Sequence, residues 1–345
     1  MTHKERFHAT IERRTVDRPA CWLGQPVSEA VPLLLRHFGV ETVGELKRKL
    51  GDDVYDVDVP YDHPPSNHIA CAFDFAKASG SDYEERSLTV PGFFEDFEDP
   101  ARVEEFPWPD PREHMDAARC RAAVGAVPPD YAVLGVMWSA HFQDACSAFG
   151  MENALMTMIE CPEMFQAVID RILRFYLEAN AFFYEAAGDR LDAVLIGNDF
   201  GSQNTLMVSA EQLRRFVFPG TKKLIEQAHA YGLKVIHHSC GAICPLVPDL
   251  IECGADAIHP IQALAKEMSA EHLRTTFGGK TAFCGGVDAQ NLLVNGKPDE
   301  IRRRVGELRK LFPTGLVISP SHEAILPDIP PANIEALFSA ATAVE

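Results

Sequence analysis

From Ala132 onward, short apolar runs alternate with longer amphipathic ones, and this alternation constrains the fold more than anything else in the chain. A run that is apolar throughout has no face to offer water, so it belongs in a sheet covered on both sides. Parallel pairing then needs a crossover helix between strands. The strand-like runs are Ala132–Trp138, Ala193–Asp199, Lys234–Cys240, Ala257–Gln262, Ala282–Val287 and Gly315–Ser319. Between them lie helix-like segments at Glu152–Glu160, Pro162–Ala187, Ala210–Ala230, Pro245–Cys253, Ala270–Phe277 and Pro298–Leu311, with Pro331–Ala343 closing the chain. Ser209-Ala-Glu-Gln212 reads as a capping box, and Pro162 and Pro298 suit first helical turns.

Upstream, Ala20–Leu23 and Val54–Val59 read as two more short strands, with helix-like Val27–Phe38 and Val43–Leu50 between them. Eight strands predict an α/β fold, a (β/α)8 TIM-like barrel, as a single domain over residues 1–345. A doubly wound sheet is the alternative, and its nucleotide-binding version is weakened because no Gly-x-Gly-x-x-Gly follows an early strand. Residues 60–129 break the repeat with Pro, acidic and aromatic residues, as in Phe106-Pro-Trp-Pro-Asp-Pro111. That segment is expected to be a long insertion between the second and third strands, forming a lid region over the barrel mouth. His63 and His68 fall within it.

The 345 residues are 46% hydrophobic and 24% charged, ordinary for a globular protein. Lys and Arg number 32 against 50 Asp and Glu, a net charge of −18, which repels nucleic-acid backbones and anionic membranes. No window reaches the roughly 18 apolar residues of a membrane helix, and the start Met-Thr-His-Lys-Glu-Arg has no apolar signal core. Nine cysteines without a short-range framework suit reduced thiols, so the expected location is cytoplasmic.

The carboxyl ends of barrel strands carry the chemistry. Here they give Trp138, His141, Asn198, Asp199, His238, Cys240, His259, Gln262, Cys284, Asp288, Ser319, His322 and Glu323. Burying so many polar groups unpaired would cost several kcal/mol, about 2 or more each, so a shared polar pocket accounts for them better than a core does. His238-Ser-Cys240 is the sharpest member. Residues two apart on a strand point to one side, so an imidazole and a thiolate there suit a borderline cation such as zinc. A third ligand must come from elsewhere. His322 is the first candidate, and Cys284, which sits before Gly285-Gly286, is the alternative. His237 should face the opposite side of the strand. Asp199 and Glu323 are the candidate catalytic carboxylates, with Asp199 also suited to bind metal or orient an imidazole. Trp138, Asn198, Gln203 and Gln262 are the candidate substrate-binding residues.

The stretch His238-Ser-Cys-Gly-Ala-Ile-Cys-Pro-Leu-Val-Pro-Asp-Leu-Ile-Glu-Cys-Gly-Ala-Asp256, followed by His259-Pro-Ile-Gln262, resembles the uroporphyrinogen decarboxylase-like superfamily, especially its corrinoid-dependent methyltransferase branch. Ile196–Gln203, Cys284–Gln290 and Ser319–Asn333 are similar as well, as are Lys4–Phe7, Asp17–Pro19 and Phe106–Pro111. The resemblance implies the barrel of that superfamily. Decarboxylases of this type meet their tetrapyrrole's carboxylates with an early arginine-rich loop, whereas Cys21-Trp-Leu-Gly-Gln-Pro26 has no arginine. The methyltransferases bind zinc through His-x-Cys and a later cysteine, and here the late element, Ser319-Pro-Ser-His-Glu323, has none. His322 stands nearest that place.

The resemblance implies a zinc-dependent methyltransferase acting between a small methyl donor or acceptor and a cobalamin. The chain has no Asp-x-His-x-x-Gly signature, so the cobalamin would arrive on a partner corrinoid protein. A decarboxylase or lyase acting on a small carboxylate without metal is the second reading. The family and the acidic surface are compatible with a homodimer.

Overall fold

A computed structural model describes residues 1–62, 67–78 and 90–343, with only the backbone of Lys77 and Ala78. His63 and two stretches of the expected insertion lie outside the described residues.

The strands are β1 (Gln25–Pro26), β2 (Val54–Asp58), β3 (Ala132–Trp138), β4 (Ala193–Gly197), β5 (Lys234–His238), β6 (Ala257–Ile261), β7 (Ala282–Val287), β8 (Leu316–Pro320) and β9 (Ala324–Ile325). Strands β2 to β8 form one parallel sheet in sequence order, with β1 and β9 paired separately. The sheet is the curled wall of a TIM-like barrel, each step crossing over through the helical layer outside. Alternate residues point inward: Val54, Ala132, Leu134, Val136, Ala193, Leu195, Ile236, Ala257, Ala282, Cys284 and Val317 make one buried interior cluster. The period-two geometry of strands puts His238 and His259 on that same inner side, one layer closer to the mouth than Ile236 and Ala257.

Ala20–Leu23 does not form the expected eighth strand. Cys21 makes only an isolated parallel bridge to Ile318, although the Asp53 amide also donates to the Cys21 carbonyl. The reason lies in neighbouring carboxylates. The Cys21 amide donates to Asp53 Oδ2 and the Leu23 amide to Asp52 Oδ2, so the groups that would extend a ladder are already spent. The segment still seals the gap between β8 and β2.

Three further local departures are seen, the first two with a plain physical cause. The expected strands at 193–199, 234–240 and 257–262 end one or two residues early, because their last residues turn into the mouth loops. The expected helix Ala210–Ala230 is broken into Ala210–Gln212, a π turn over Leu213–Val217 and Phe218–Ala230. Pro219 has no N–H to give the preceding turn, and the wider turn accommodates it. Helix Val31–Phe38 starts four residues later than expected.

Among the helices that escaped the sequence reading, two shape the barrel itself. His3–Ile11 starts with a reciprocal Thr2/Glu5 cap and drives Phe7 and Ile11 into the interior cluster, plugging the end of the barrel opposite the strand tips. His141–Phe149 follows β3 directly and is almost wholly buried. The described part of the 60–129 insertion is anchored on helices outside it, where Phe73 meets Phe175 at 4.8 Å and Phe94 meets Phe149 at 6.0 Å, and it packs on itself where Phe75 meets Phe106 at 4.6 Å. All nine cysteines are free. No helix among the described residues is long and apolar enough to cross a membrane.

Candidate metal centre at the barrel mouth

His238 ends β5 and faces the barrel axis. Its placement depends on register: Gly197 of β4 pairs with it on one side and His259 of β6 on the other. Gly197 is obligatory there, since a Cβ would sit 2.0 Å from the His238 carbonyl oxygen. Beyond the strands, the β4 and β5 loops touch at Gly201 and Gly241, and Ala242 donates to the Ser202 carbonyl at 2.8 Å. This contact holds Asp199 beside Cys240.

Each nitrogen of the His238 ring meets its own set of groups. Nε2 lies 3.2 Å from Asp199 Oδ1 and 3.6 Å from Cys240 Sγ. Nδ1 lies 2.9 Å from His259 Nδ1 and 3.5 Å from Glu323 Oε2. Ligand atoms converge accordingly in two groups among the described residues, Asp199 with His238 and Cys240, and His238 with His259 and Glu323. The Cys240 amide donates to Asp199 Oδ1 at 2.8 Å, and Trp138 stands edge-on to the His238 ring at 5.2 Å. Trp138 and Ser139 both hold left-handed backbones, φ 54° and 51°, which is costly for a tryptophan and sets the sharp turn out of β3.

Electrostatics follow from this packing. Burial works to raise the Asp199 carboxyl, but the His238 hydrogen bond, the charge of that ring and the Cys240 amide outweigh it and hold it at about 2. Burial opposes charge on His238, yet Glu323, Asp199 and Cys240 hold its pKa well above the ordinary value. His259, buried between Trp22 and His238, goes well below. The Cys240 thiol is pushed up by burial and pulled down further by hydrogen bonds from His238 and His322, ending below its usual value. Anionic sulfur beside nitrogen and oxygen donors is the chemistry that borderline cations select.

The remaining sequence candidates separate by what surrounds them. His322 bonds Cys240 and accepts from the Ala324 amide through Nδ1, but its ring centre is 6.4 Å from that of His238 and it belongs to neither converging group. Cys284 is fully buried on β7, bonds Ser319 Oγ at 3.6 Å, has its thiol pushed up to about 12 by burial, and also belongs to neither group. Glu323 stands beside both His238 and His322. Asn198 is consumed structurally: its Oδ1 accepts from the Phe142 and Gln143 amides at 2.9 and 3.3 Å, locking the end of β4 to helix His141–Phe149. Gln262 is nearly buried and accepts from the Gly241 amide at 2.5 Å, and Gln203 is exposed. His237 faces outward, buried against Phe200, as strand alternation requires.

Sequence reasoning underrated His259 and missed Gln143, whose side-chain oxygen accepts from the Asp199 amide at 3.3 Å. His259 stood at a strand end, but its partnership with His238 depends on strand register. No local pattern carries that information.

A parallel barrel with ionisable and thiol side chains gathered at the carboxyl ends of its strands is the layout of a barrel enzyme. The chain belongs to the uroporphyrinogen decarboxylase (URO-D) family, which it matches over residues 67–344. No curated protein matches it by sequence. Among solved structures, a methyltransferase from Methanosarcina mazei superposes with a TM-score of 0.71 at 19% identity, covering 99% of this chain and 98% of that one. A Xanthomonas albilineans dihydropteroate synthase gives a TM-score of 0.30 at 16% identity, over 45% of this chain and 56% of that one. At 19% identity the first likeness is one of fold.

Proposed function

We propose that the chain is a zinc-dependent methyltransferase that moves a methyl group between a small substrate and a cobalamin carried by a partner corrinoid protein. The observation that carries this reading is the convergence of His238, Cys240 and a carboxylate at the mouth of a URO-D barrel. The donor set fits zinc: nitrogen, sulfur and oxygen ligand atoms lie together on His238, Cys240 and Asp199, and the thiol is already depressed. Held by His238 and Cys240, zinc would supply Lewis acidity and would ease deprotonation of a substrate thiol.

The chain's own residues do the rest. Glu323 and His259 fix the His238 ring from its Nδ1 side, Asp199 and the Cys240 amide fix the other, and Trp138 shields the imidazole from water. Exposed Met207, Leu264 and Leu326 lie on segments following β4, β6 and β9, an apolar rim suited to a docking protein. The ion partners of Asp58, Asp199 and Glu323 among the described residues are all histidines. The early Cys21–Pro26 segment offers no arginine to a carboxylate substrate, which argues against the metal-free lyase reading.

The test incubates protein of measured zinc content with cob(I)alamin and a panel of methylated amines, ethers and thioethers, and with methylcobalamin and thiols, following the cobalamin spectrum. Methyl transfer lost on chelation and restored by zinc is expected. Full activity in metal-free protein, or carbon dioxide release from a carboxylate substrate, would sink the reading.

A further inference from the structure

Granting that zinc sits at this mouth, we infer that Asp199 is its third protein ligand, completing a set of one nitrogen, one sulfur and one oxygen, and that His322 acts on Cys240 from outside that set. The argument is metric. A tetrahedral zinc about 2.05 Å from nitrogen and oxygen and about 2.3 Å from sulfur spaces its N···O pair by roughly 3.3 Å and its N···S pair by roughly 3.6 Å. His238 Nε2 stands 3.2 Å from Asp199 Oδ1 and 3.6 Å from Cys240 Sγ, so two edges of that tetrahedron are already drawn. The third pair, Asp199 oxygen and Cys240 sulfur, also lies within 4.8 Å.

The rival group on the Nδ1 side fails the same measure. His238 Nδ1 and His259 Nδ1 are 2.9 Å apart, a hydrogen-bond length and shorter than the roughly 3.3 Å that two nitrogens on one zinc would keep. That contact therefore orients the imidazole. With His259 accepting from the Nδ1–H and Glu323 3.5 Å away, His238 is left to present Nε2, the way a supporting acceptor sets the tautomer of a metal-bound histidine. Asp199 is supported as a ligand in turn, by the Cys240 amide on Oδ1 and by the Gly201–Gly241 contact between the two loops. A carboxylate from the loop after β4 thus stands in for the thiolate that the late segment Ser319–Glu323 lacks. Three protein ligands leave one position for substrate.

The test uses the full-length protein and the metal alone. Zinc stoichiometry and affinity are measured by chelator competition, and cobalt(II) is substituted to read its visible bands and thiolate charge-transfer absorption. Wild type should bind one equivalent. Asp199→Asn should lose at least tenfold in affinity, Asp199→Cys should regain it and strengthen the charge-transfer band, and His322→Ala and Cys284→Ser should keep stoichiometric metal. Rescue by Asp199→Cys separates a ligand from a fold effect. If Asp199→Asn holds zinc as tightly as wild type while His322→Ala loses it, the assignment falls and the functional reading stands. Wild-type protein that binds no zinc overturns both.

Discussion

Asn198 ties the end of β4 to the helix that follows β3. It is buried, and its carbonyl oxygen takes the first two free amides of helix His141–Phe149, which have no turn before them to accept. Its amide meets His141 Nδ1 at 3.5 Å, leaving Nε2–H of that ring to donate to the Val217 carbonyl at 3.1 Å. Asn198→Ala should therefore cost about 2–3 kcal/mol, read as a lower urea midpoint, because two buried donors lose their acceptor. His141 itself makes stability depend on pH. Burial holds its pKa below the ordinary 6.5 despite the Val217 and Ser139 carbonyls. The unfolded ring then binds a proton first on acidification. This contribution is intact above pH about 6.5 and is lost as pH falls below it, with a slope of at most about 1.4 kcal/mol per unit. Urea midpoints between pH 5 and 7.5 should show a shallower decline in His141→Gln than in wild type. An unchanged slope would refute the assignment.

Among the elements, the β4–β5 pair is the one whose register the site depends on. Gly197→Ala would place a methyl group 2.0 Å from the His238 carbonyl, so the strands must part. The expected result is a fall in melting temperature of several degrees together with weaker metal binding at the proposed zinc site. Gly306→Ala, in helix Pro298–Leu311, meets nothing within 4 Å and should raise stability by about 0.5–1 kcal/mol. The contrast also explains what the sequence could reveal. His238 and Cys240 were readable as a pair because alternation within one strand is local, and the six later βα units were readable because each apolar run is bounded by an amphipathic helix. Asp199 beside Cys240 and His259 beside His238 depend on register between strands, which the hydrophobic pattern leaves free. Ala20–Leu23 looked like a strand because its side chains are apolar, while the carboxylates that spend its amides lie 30 residues on. The buried helix His141–Phe149 was missed because Asp144, His141 and Ser147 make its pattern read as loop.

The whole molecule separates stability from chemistry along the barrel axis. At the far end, helix His3–Ile11 inserts Phe7, and Arg6 and Arg18 each reach the buried Asp53 at 2.7 Å. Phe7→Ala should cost about 3–5 kcal/mol in urea unfolding while leaving the metal content of the proposed zinc site as in wild type, since the cavity opens at the end away from the mouth. Loss of both together would mean that the two ends are coupled. The shared imidazole of His238 draws the opposite consequence at the mouth. One ring is steadied by Asp199, just beyond β4, on one side and by Glu323, beyond β8, on the other, 124 positions away along the chain. Such a centre cannot be inherited piecemeal: a half-barrel ending before β8 would keep the histidine and the cysteine and lose the brace that aims them, so duplication or shuffling of barrel halves would transmit the scaffold without its reactivity.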